Sequence, residues 1–311
     1  MTGMGTAVVA YLFFAGTGAG VCAIASALAL LSPRGVVALQ ASAQANGGRR
    51  EIIAPLSFHR ELFARLYLLG LLLVSVGSLC LLGDLGVTNR ALFLFLSPQP
   101  TFITFGSYAL AIEIGLAILL SIGWGSKTVL WRYRIVCALE WLALLFGIAV
   151  ALYTGLMFGD IVAVPFWSTP WLAPLFLSSA LSCGCACVCL VIAFTDCGRR
   201  FSSVARRLVV FDLLLVVVEA VCAAGFIGHA LSSPYDVAVQ AATSLIAGAG
   251  APLFVGGFLV AGLAVPFALG CFDVFQKKAQ LIVGPLLVSS VCGLVGGVVL
   301  RWSVIAAGIH P

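Results

Sequence analysis

The sequence is poor in charged residues and has no long polar stretch. Asp, Glu, Lys and Arg make up 9% of its 311 residues, whereas hydrophobic residues make up 62%, and the mean hydropathy is +1.19. An ordinary soluble domain is about 25% charged. This composition excludes a separate soluble domain, so chemistry on a water-soluble substrate would need a site among the helices or another subunit.

Histidine is also scarce, and its positions bear on cofactors. The three histidines are His59, His229 and His310. A membrane b-type haem needs axial ligands that face each other within a bundle, and only His229 and His310 are expected on one side, close to the surface. Most of the eleven cysteines fall in apolar runs, where cysteine behaves as a small hydrophobe. We therefore expect neither haem nor an iron–sulfur cluster in this chain.

Apolar runs recur along the whole sequence, and each is long enough to cross about 30 Å of hydrocarbon as a helix. The alternation typical of a β-barrel is absent, and a spanning helix satisfies its own backbone groups. The sequence therefore predicts an all-α, polytopic membrane protein with eight transmembrane helices in two four-helix bundles. These form one integral membrane domain, 1–311, with helices at about 7–31, 63–83, 104–123, 134–158, 172–195, 208–230, 247–271 and 281–307.

The distribution of basic residues predicts the orientation. Of sixteen Lys and Arg residues, fourteen fall in or beside the first, third, fifth and seventh loops. The opposite loops carry only Arg90, and Arg301 lies within the last span. By the positive-inside rule the odd-numbered loops are cytoplasmic and both termini are extracytoplasmic. A multi-pass protein of the cell membrane is the predicted localisation.

The stretch 153–176 is chemically uneven in an otherwise apolar sequence. It contains Tyr153 near the end of one apolar run, the acid Asp160, and then Pro165-Phe166-Trp167-Ser168-Thr169-Pro170 before the next run. The predicted orientation makes it an outward-facing connector between the fourth and fifth helices. We expect part of a binding site here.

Charged side chains inside membrane spans are costly and are functional candidates by default. Five lie four or more residues inside the predicted spans: Glu113, Glu140, Asp212, Glu219 and Arg301. Asp212 and Glu219 are seven residues apart and share a helix face, as a proton relay toward the cytoplasm would require. Glu140 and Asp212 lie near cytoplasmic helix ends, where contact with water is the simpler explanation. Arg301 needs a buried acid or carbonyl partner, and both Glu113 and Glu219 are candidates.

Several polar residues are predicted to converge in the outer half of the bilayer. They could line a pocket that opens to lipid and to the outer surface, but they do not distinguish a quinone pocket from a transporter vestibule. The set comprises Asp84, Arg90, Glu113, Tyr153, Asp160, His229 and Arg301.

An ordered series of short motifs resembles the polysulfide reductase NrfD family of eight-helix membrane subunits. The resemblance covers nearly the whole chain, and its most specific part is the connector. In order, the motifs are Tyr11-Leu12-Phe13-Phe14-Ala15-Gly16-Thr17-Gly18-Ala19-Gly20, Asp84-Leu85-Gly86, Thr104-Phe105-Gly106-Ser107-Tyr108, Tyr153-Thr154-Gly155, Pro165 to Pro170, Gly256-Gly257 with Pro266, and Gly296-Gly297 through Arg301.

The resemblance implies a prokaryotic membrane anchor that oxidises menaquinol or ubiquinol near the outer face and is not the terminal catalyst. Electrons would pass to a four-cluster ferredoxin-like iron–sulfur subunit and then to a molybdopterin catalytic subunit. Tyr153 matches the family tyrosine that can bond a quinone carbonyl, and Asp84 matches its corner acid. In helix 1, Thr17 stands where a second quinone ligand is expected. Residues assigned to partner docking are Arg90, Asp160 and Trp167.

Two departures and two alternatives accompany this interpretation. The family corner usually continues with Arg-Pro, whereas this chain has Val87-Thr88-Asn89-Arg90. Helix 1 also has neither His nor Asn as a second quinone ligand and offers only Thr17. A secondary transporter would use Glu113, Glu219 and Arg301 as a mid-membrane site, and helices broken near Pro266 or Pro285 would favour it. A proton-translocating anchor, a variant of the quinol-oxidising one, would use Asp212 and Glu219. The full set of candidate relay residues is Glu113, Asp212, Glu219 and Arg301.

Overall fold

A computed structural model describes residues 3–31, 50–84, 101–125, 133–161, 163–196, 202–276 and 283–309. These residues form helices joined by turns, and they contain no strand. The all-α prediction is therefore confirmed. The elements are α1 Gly3–Leu31, α2 Arg50–Asp84, α3 Phe102–Gly125, α4 Tyr133–Gly159, α5 Leu172–Asp196, α6 Ser202–Leu231, α7 Asp236–Ala247, the π-helix π1 Pro252–Ala264, α8 Val265–Phe275 and α9 Val283–Ile309.

Eight of these helical segments are long and apolar enough to cross a membrane, as predicted. They are α1 to α6, the continuous pair π1–α8, and α9, with apolar spans of 24 to 28 residues. At a rise of about 1.5 Å per residue, each covers the hydrocarbon core. The protein is therefore a multi-pass membrane protein.

The structure differs from the sequence prediction by more than four residues at three helix starts, those of α2, α6 and the seventh span; α6 begins at Ser202 rather than at about 208. Helix α2 begins at Arg50 rather than at about 63, because its first turns carry charged residues that an apolar-run criterion excludes. The seventh span begins at Pro252, and the preceding residues form the short helix α7. That helix was not predicted because its 12 residues are too few to span a membrane and only one face, rich in alanine, is buried.

Helices α1 and α5 are the central helices of the fold. Within their spans 72% and 78% of residues are buried, against 28–44% for the other six. Helix α1 contacts α2, α4, α5 and α9, and α5 contacts α4, α6 and α9. Further contacts join α2 to α3, α3 to α4, α6 to α8 and α8 to α9. The grouping into two bundles and the side of the termini stay predictions.

Glycines allow α1 and α5 to pack backbone against backbone. A β-carbon added at Gly20 would meet the carbonyl oxygen of Ala180, and one added at Gly184 would lie 2.5 Å from the carbonyl carbon of Gly20. Small residues of this kind let membrane helices approach closely, and dispersion contacts then stabilise the pair. Close backbone packing therefore holds the two central helices together.

Arginines cap helix ends at one side of the fold. Arg60 Nε donates to the carbonyl oxygen of Trp124 at 2.9 Å, and Arg206 Nη2 donates to that of Val274 at 3.1 Å. The last carbonyls of a helix lack intrahelical donors, so a basic side chain there satisfies them and complements the helix dipole. We call this side, with Arg60, Arg65, Arg206 and Arg207, the arginine-rich end.

Candidate functional site

The connector between α4 and α5 lies at the end opposite the arginines and is fastened to α9. Trp167 Nε1 donates to the carbonyl oxygen of Val304 at 2.9 Å, and its ring occupies the space that a side chain at Gly308 would need. Phe158 packs edge-on against the same ring, with centroids 5.1 Å apart. Since Trp167 is only 6% exposed, it fixes the connector in place.

A groove of about 350 Å³ runs between the connector and the adjoining helix ends. Its walls come from the start of α3, the last turn of α4, the connector and the start of α5. Both apolar and polar residues line it, and Asp160 is exposed at its rim. The lining residues are Phe102, Gly155, Leu156, Gly159, Asp160, Ser168, Thr169, Pro170 and Ala173.

Tyr153 lies directly beneath this groove. It is 2% exposed, and its ring occupies the space in which a side chain at Gly106 would stand. Gly106 follows Phe102 by four residues, so the two share a face of α3 and lie about 6 Å apart along its axis. Tyr153 is likewise three residues before Leu156 on α4. Both helices therefore place the tyrosine about one turn below the groove.

The other predicted residues of this region have different positions. Asp84 is the last residue of α2, and its side chain lies outside the described residues, as does the whole of Arg90. Of the residues predicted for partner docking, Asp160 is exposed and Trp167 is buried. Their docking roles stay predictions, and what the structure shows for Trp167 is attachment of the connector to α9.

Arg301 forms a second polar centre, deeper in the fold and 1% exposed. Its Nε donates to the carbonyl oxygen of Leu12 at 3.1 Å, and its Nη1 donates to that of Gly297 at 2.8 Å and to Ser179 Oγ at 3.3 Å. Its guanidinium carbon is 5.6 Å from the ring centroid of Phe176. One side chain thus joins α1, α5 and α9.

Glu219 is the acid associated with Arg301. It is 4% exposed, and its carboxyl group interacts with Ser179, the hydroxyl that also receives a hydrogen bond from Arg301. The carboxyl group and the guanidinium also influence each other electrostatically, although no ion pair within 4 Å joins these two side chains. Of the two acids that the sequence left open as partners, the structure therefore brings Glu219 to Arg301.

Thr17 belongs to the Arg301 centre. It is fully buried, and its hydroxyl has no hydrogen-bond partner that meets ordinary geometry within the described part of the chain. Its neighbour is the thiol of Cys183, which in turn lies beside Arg301. Arg301 Nη2 is also without a partner among the described residues. Buried polar atoms of this kind are the ones that internal water usually satisfies. The predicted role of Thr17 in quinone binding stays a prediction.

Asp212 lies closer to the arginine-rich end, on the same helix as Glu219. Ser182 Oγ donates to its carboxylate at 2.7 Å. Beside it is a partly enclosed cavity of about 20 Å³ that Pro266, Ser289 and Ser290 also line. A polar cavity of this size holds about one water molecule. Asp212, Ser182 and this cavity lie between the Arg301–Glu219 centre and the arginines.

Glu113 and Glu140 lie in a third group, among α1 to α4. Glu113 is 0% exposed, and both of its carboxyl oxygens lack a hydrogen-bond partner among the described residues; the weak donor Cys22 lies beside it. Glu140 is 2% exposed and accepts hydrogen bonds from Tyr67 Oη and, at 2.8 Å, from Trp124 Nε1. The expectation that Glu140 is in contact with water near its helix end is therefore wrong. The predicted relay set is also divided, since Glu113 stands apart from Arg301.

The fold and these centres define a class: a polytopic membrane protein with eight spans, a connector groove at one end and charged groups buried between its helices. A family model described as "Polysulphide reductase, NrfD" matches residues 3–310. The chain therefore belongs to the NrfD polysulphide reductase family, whose members are membrane anchor subunits of polysulfide reductase-type complexes that work with iron–sulfur and molybdopterin subunits. The comparison with curated proteins found no match.

Proposed function

We propose that this subunit binds quinol in the connector groove, oxidises it there, and passes the electrons to an iron–sulfur partner on the extracytoplasmic side of a prokaryotic cell membrane. The partner would feed a molybdopterin catalytic subunit. The observation that carries the proposal is the buried Tyr153 of α4, which lies one turn beneath a polar-rimmed groove. The connector, which carries the most specific family motif, forms one wall of that groove.

The residues present fit a quinone ring. A volume of about 350 Å³ is within the usual range for small-molecule sites, which combine apolar walls with a few placed polar groups. Phe102 and Leu156 supply apolar surface, and Ser168, Thr169 and Asp160 supply polar atoms. Phe102 is 41% exposed on a helix that faces lipid, so an isoprenoid tail could leave the groove toward the bilayer.

The residues at the groove can handle the protons that quinol oxidation releases. A quinol loses two electrons and two protons, so hydroxyl or carboxylate groups must accept or relay those protons. Tyr153 would hold one ring oxygen through its hydroxyl group. Asp160, exposed at the rim, can pass a proton to water outside. Electrons would leave to the partner, which must therefore dock over the connector.

A photoreactive quinone tests the binding site directly. Irradiation of the purified complex with an azido-menaquinone should label residues of the groove, because they surround the ring. Mass spectrometry of the digested subunit should place the label within 153–173 or at the start of α3. Excess unlabelled menaquinone should suppress it, whereas excess of a lipid without a quinone ring should not.

Labelling elsewhere would relocate the site. Suppose that the label lies near Arg301 and Thr17, is suppressed by excess menaquinone, and is absent from the connector. This result would contradict quinone binding in the groove above Tyr153. Label that excess menaquinone does not suppress would show adventitious reaction with the apolar surface.

A second candidate function, proton translocation, is favoured by the Arg301 centre. Arg301, Ser179 and Glu219 form a connected group, and Asp212 with its water-sized cavity continues it toward the arginine-rich end. We propose that Glu219 exchanges protons with that end through Asp212. Continuous helical structure from Pro252 to Phe275, and the position of Pro285 in the first turn of α9, give no support to the broken helices that a transporter would use.

The variant Glu219→Gln should abolish proton movement across the membrane and leave quinol oxidation running. The amide keeps the shape of the side chain and cannot release a proton at neutral pH. The measurement is the ratio of protons moved to electrons transferred in vesicles that contain the complex. Asp236→Asn, at the exposed start of α7, is the matched control. An unchanged ratio in Glu219→Gln would remove Glu219 from the path.

A further inference from the structure

We propose that α1 to α4 contain a second, separate proton pathway: a relay of Glu140, Tyr67, Ser26 and Cys22 that connects the arginine-rich end with Glu113. Only Glu113 of these residues was a predicted relay member, and it was grouped with the Arg301 set. The structure instead places it beside Cys22 of α1, apart from Arg301.

The lower part of the relay is a continuous hydrogen-bonded chain. Trp124 Nε1 and Tyr67 Oη both donate to the Glu140 carboxylate, and Tyr67 Oη lies 2.8 Å from Ser26 Oγ. All four side chains are buried, with Trp124 the most exposed at 9%. A chain of hydroxyl groups that ends on a carboxylate can pass protons, because each hydroxyl both accepts and donates.

The chain begins close to the arginine-rich end. Trp124 is the penultimate residue of α3, and Arg60 donates to its carbonyl oxygen and, at 3.3 Å, to that of Gly125. Arg60 is only partly buried. Glu140 is thus held at the last turn of α3, and the relay requires proton exchange with the surface across that turn.

The upper part of the relay continues along α1 to Glu113. Cys22 precedes Ser26 by four residues, so the two side chains are neighbours on one face. Gly70 makes room for the thiol, since a β-carbon there would lie 2.5 Å from Cys22 Sγ. The thiol interacts with Glu113 and, through space, with Glu140 and Tyr67. The relay requires one water molecule or a rotation of the Ser26 hydroxyl to connect Ser26 with Cys22.

Glu113 is the carboxyl group at the top of this chain, and the weak donor Cys22 lies beside it. Both oxygens are buried and lack hydrogen-bond partners among the described residues, and a buried carboxylate without a partner is very costly. The group therefore carries its proton at rest.

The Tyr67 hydroxyl donates to Glu140 and therefore accepts from Ser26, so the chain is oriented toward Glu140. For transfer in that direction, Tyr67 gives its proton to the Glu140 carboxylate and takes one from Ser26. Ser26 is resupplied from Glu113 through Cys22. Glu113 takes a new proton from the region beneath the groove and Glu140 releases one toward the arginine-rich end, so no net charge remains in the chain.

Glu113 lies below the proposed quinone site on the same face of α3. It follows Gly106 by seven residues on α3, so it shares that face and lies about 10 Å further into the membrane. Gly106 is the residue on which the Tyr153 ring packs. The relay would thus exchange protons between the arginine-rich end and the region beneath the groove. This purpose rests on the proposed function, whereas the relay itself does not.

Infrared spectroscopy of the purified complex tests the relay without any quinol turnover. A buried, protonated carboxyl group gives a resolved C=O stretching band, and the band that Glu113→Gln removes is that of Glu113. Transfer into D₂O shifts the band as the proton exchanges. Tyr67→Phe removes the linking hydroxyl but keeps the ring, and it should slow this exchange roughly 100-fold.

Ser26→Ala is the second break in the chain and should slow the exchange to a similar extent, so the test stands if one variant fails to fold. Tyr11→Phe is the matched control, because Tyr11 is a fully buried tyrosine of α1 outside the chain. The relay is refuted if the Glu113 proton exchanges as fast in both Tyr67→Phe and Ser26→Ala as in the wild type. It is also refuted if Glu113→Gln removes no carboxylic acid band. Failure of the quinone site would leave these spectra unchanged and would appear only as lost photolabelling.

Discussion

Replacing Tyr153 with phenylalanine should reduce quinol-dependent electron transfer through the assembled complex roughly 100-fold, the usual scale for loss of a positioned acid–base group. The ring would keep its place, because it packs on Gly106 and is 2% exposed. Only the hydroxyl that would bond a quinone oxygen is lost. The measurement is the rate at which a quinol analogue reduces the terminal acceptor.

Two controls separate a chemical effect from a structural one. Tyr235→Phe makes the same change at an exposed tyrosine of the same membrane face, 59% exposed, and should leave the rate unchanged. A low-potential dye that reduces the iron–sulfur partner directly should support normal turnover in Tyr153→Phe. Normal quinol turnover in that variant would remove Tyr153 from the site.

Substituting Gly20 with alanine should destabilise the subunit by about 1–3 kcal/mol, the usual range for overpacking. The added methyl group would meet the carbonyl oxygen of Ala180 across the α1–α5 contact. Backbone atoms cannot rotate away as side chains do, so the two central helices must separate. Loss of intact subunit during heating or titration with a denaturing detergent measures the effect.

Gly115→Ala supplies the matched control with the opposite expected sign. Gly115 lies within α3, and a β-carbon there would have nothing within 4 Å. Because alanine favours a helix over glycine by about 1 kcal/mol, this variant should be at least as stable as the wild type. Equal stability of the two variants would show that the α1–α5 contact does not depend on its glycines.

The sequence predicted the spans well because bilayer thickness sets the length of an apolar helix. All eight spans were found, and errors arose where that criterion does not apply. The charged first turns of α2 were missed because they extend beyond the hydrocarbon, and α7 because it does not cross it. Nothing in the sequence indicated that Pro252–Ala264 would be π-helical, since that form depends on how the span packs.

The buried charges show the limit of prediction from position along a helix. Depth correctly singled out Arg301, Glu113 and Glu219 as buried, but depth does not specify which neighbours a side chain faces. The link from Arg301 to Glu219 depends on Ser179, which carries no special sequence signal. Glu140 looked wetted from its place near a helix end. Tyr67 and Trp124, from two other helices, enclose it instead.

The Arg301 contacts also have a consequence for biogenesis. Leu12 and Arg301 are 289 positions apart, so the first helix inserts long before its partner in the last helix is synthesised. Domains of growing chains fold as units while unpaired surfaces remain exposed. The face of α1 around Leu12 must therefore stay open to lipid or to insertion factors until α9 arrives. Ribosome-bound chains that end before residue 283 should be degraded faster than chains that include α9, because they lack the side chain that joins the first helix to the last.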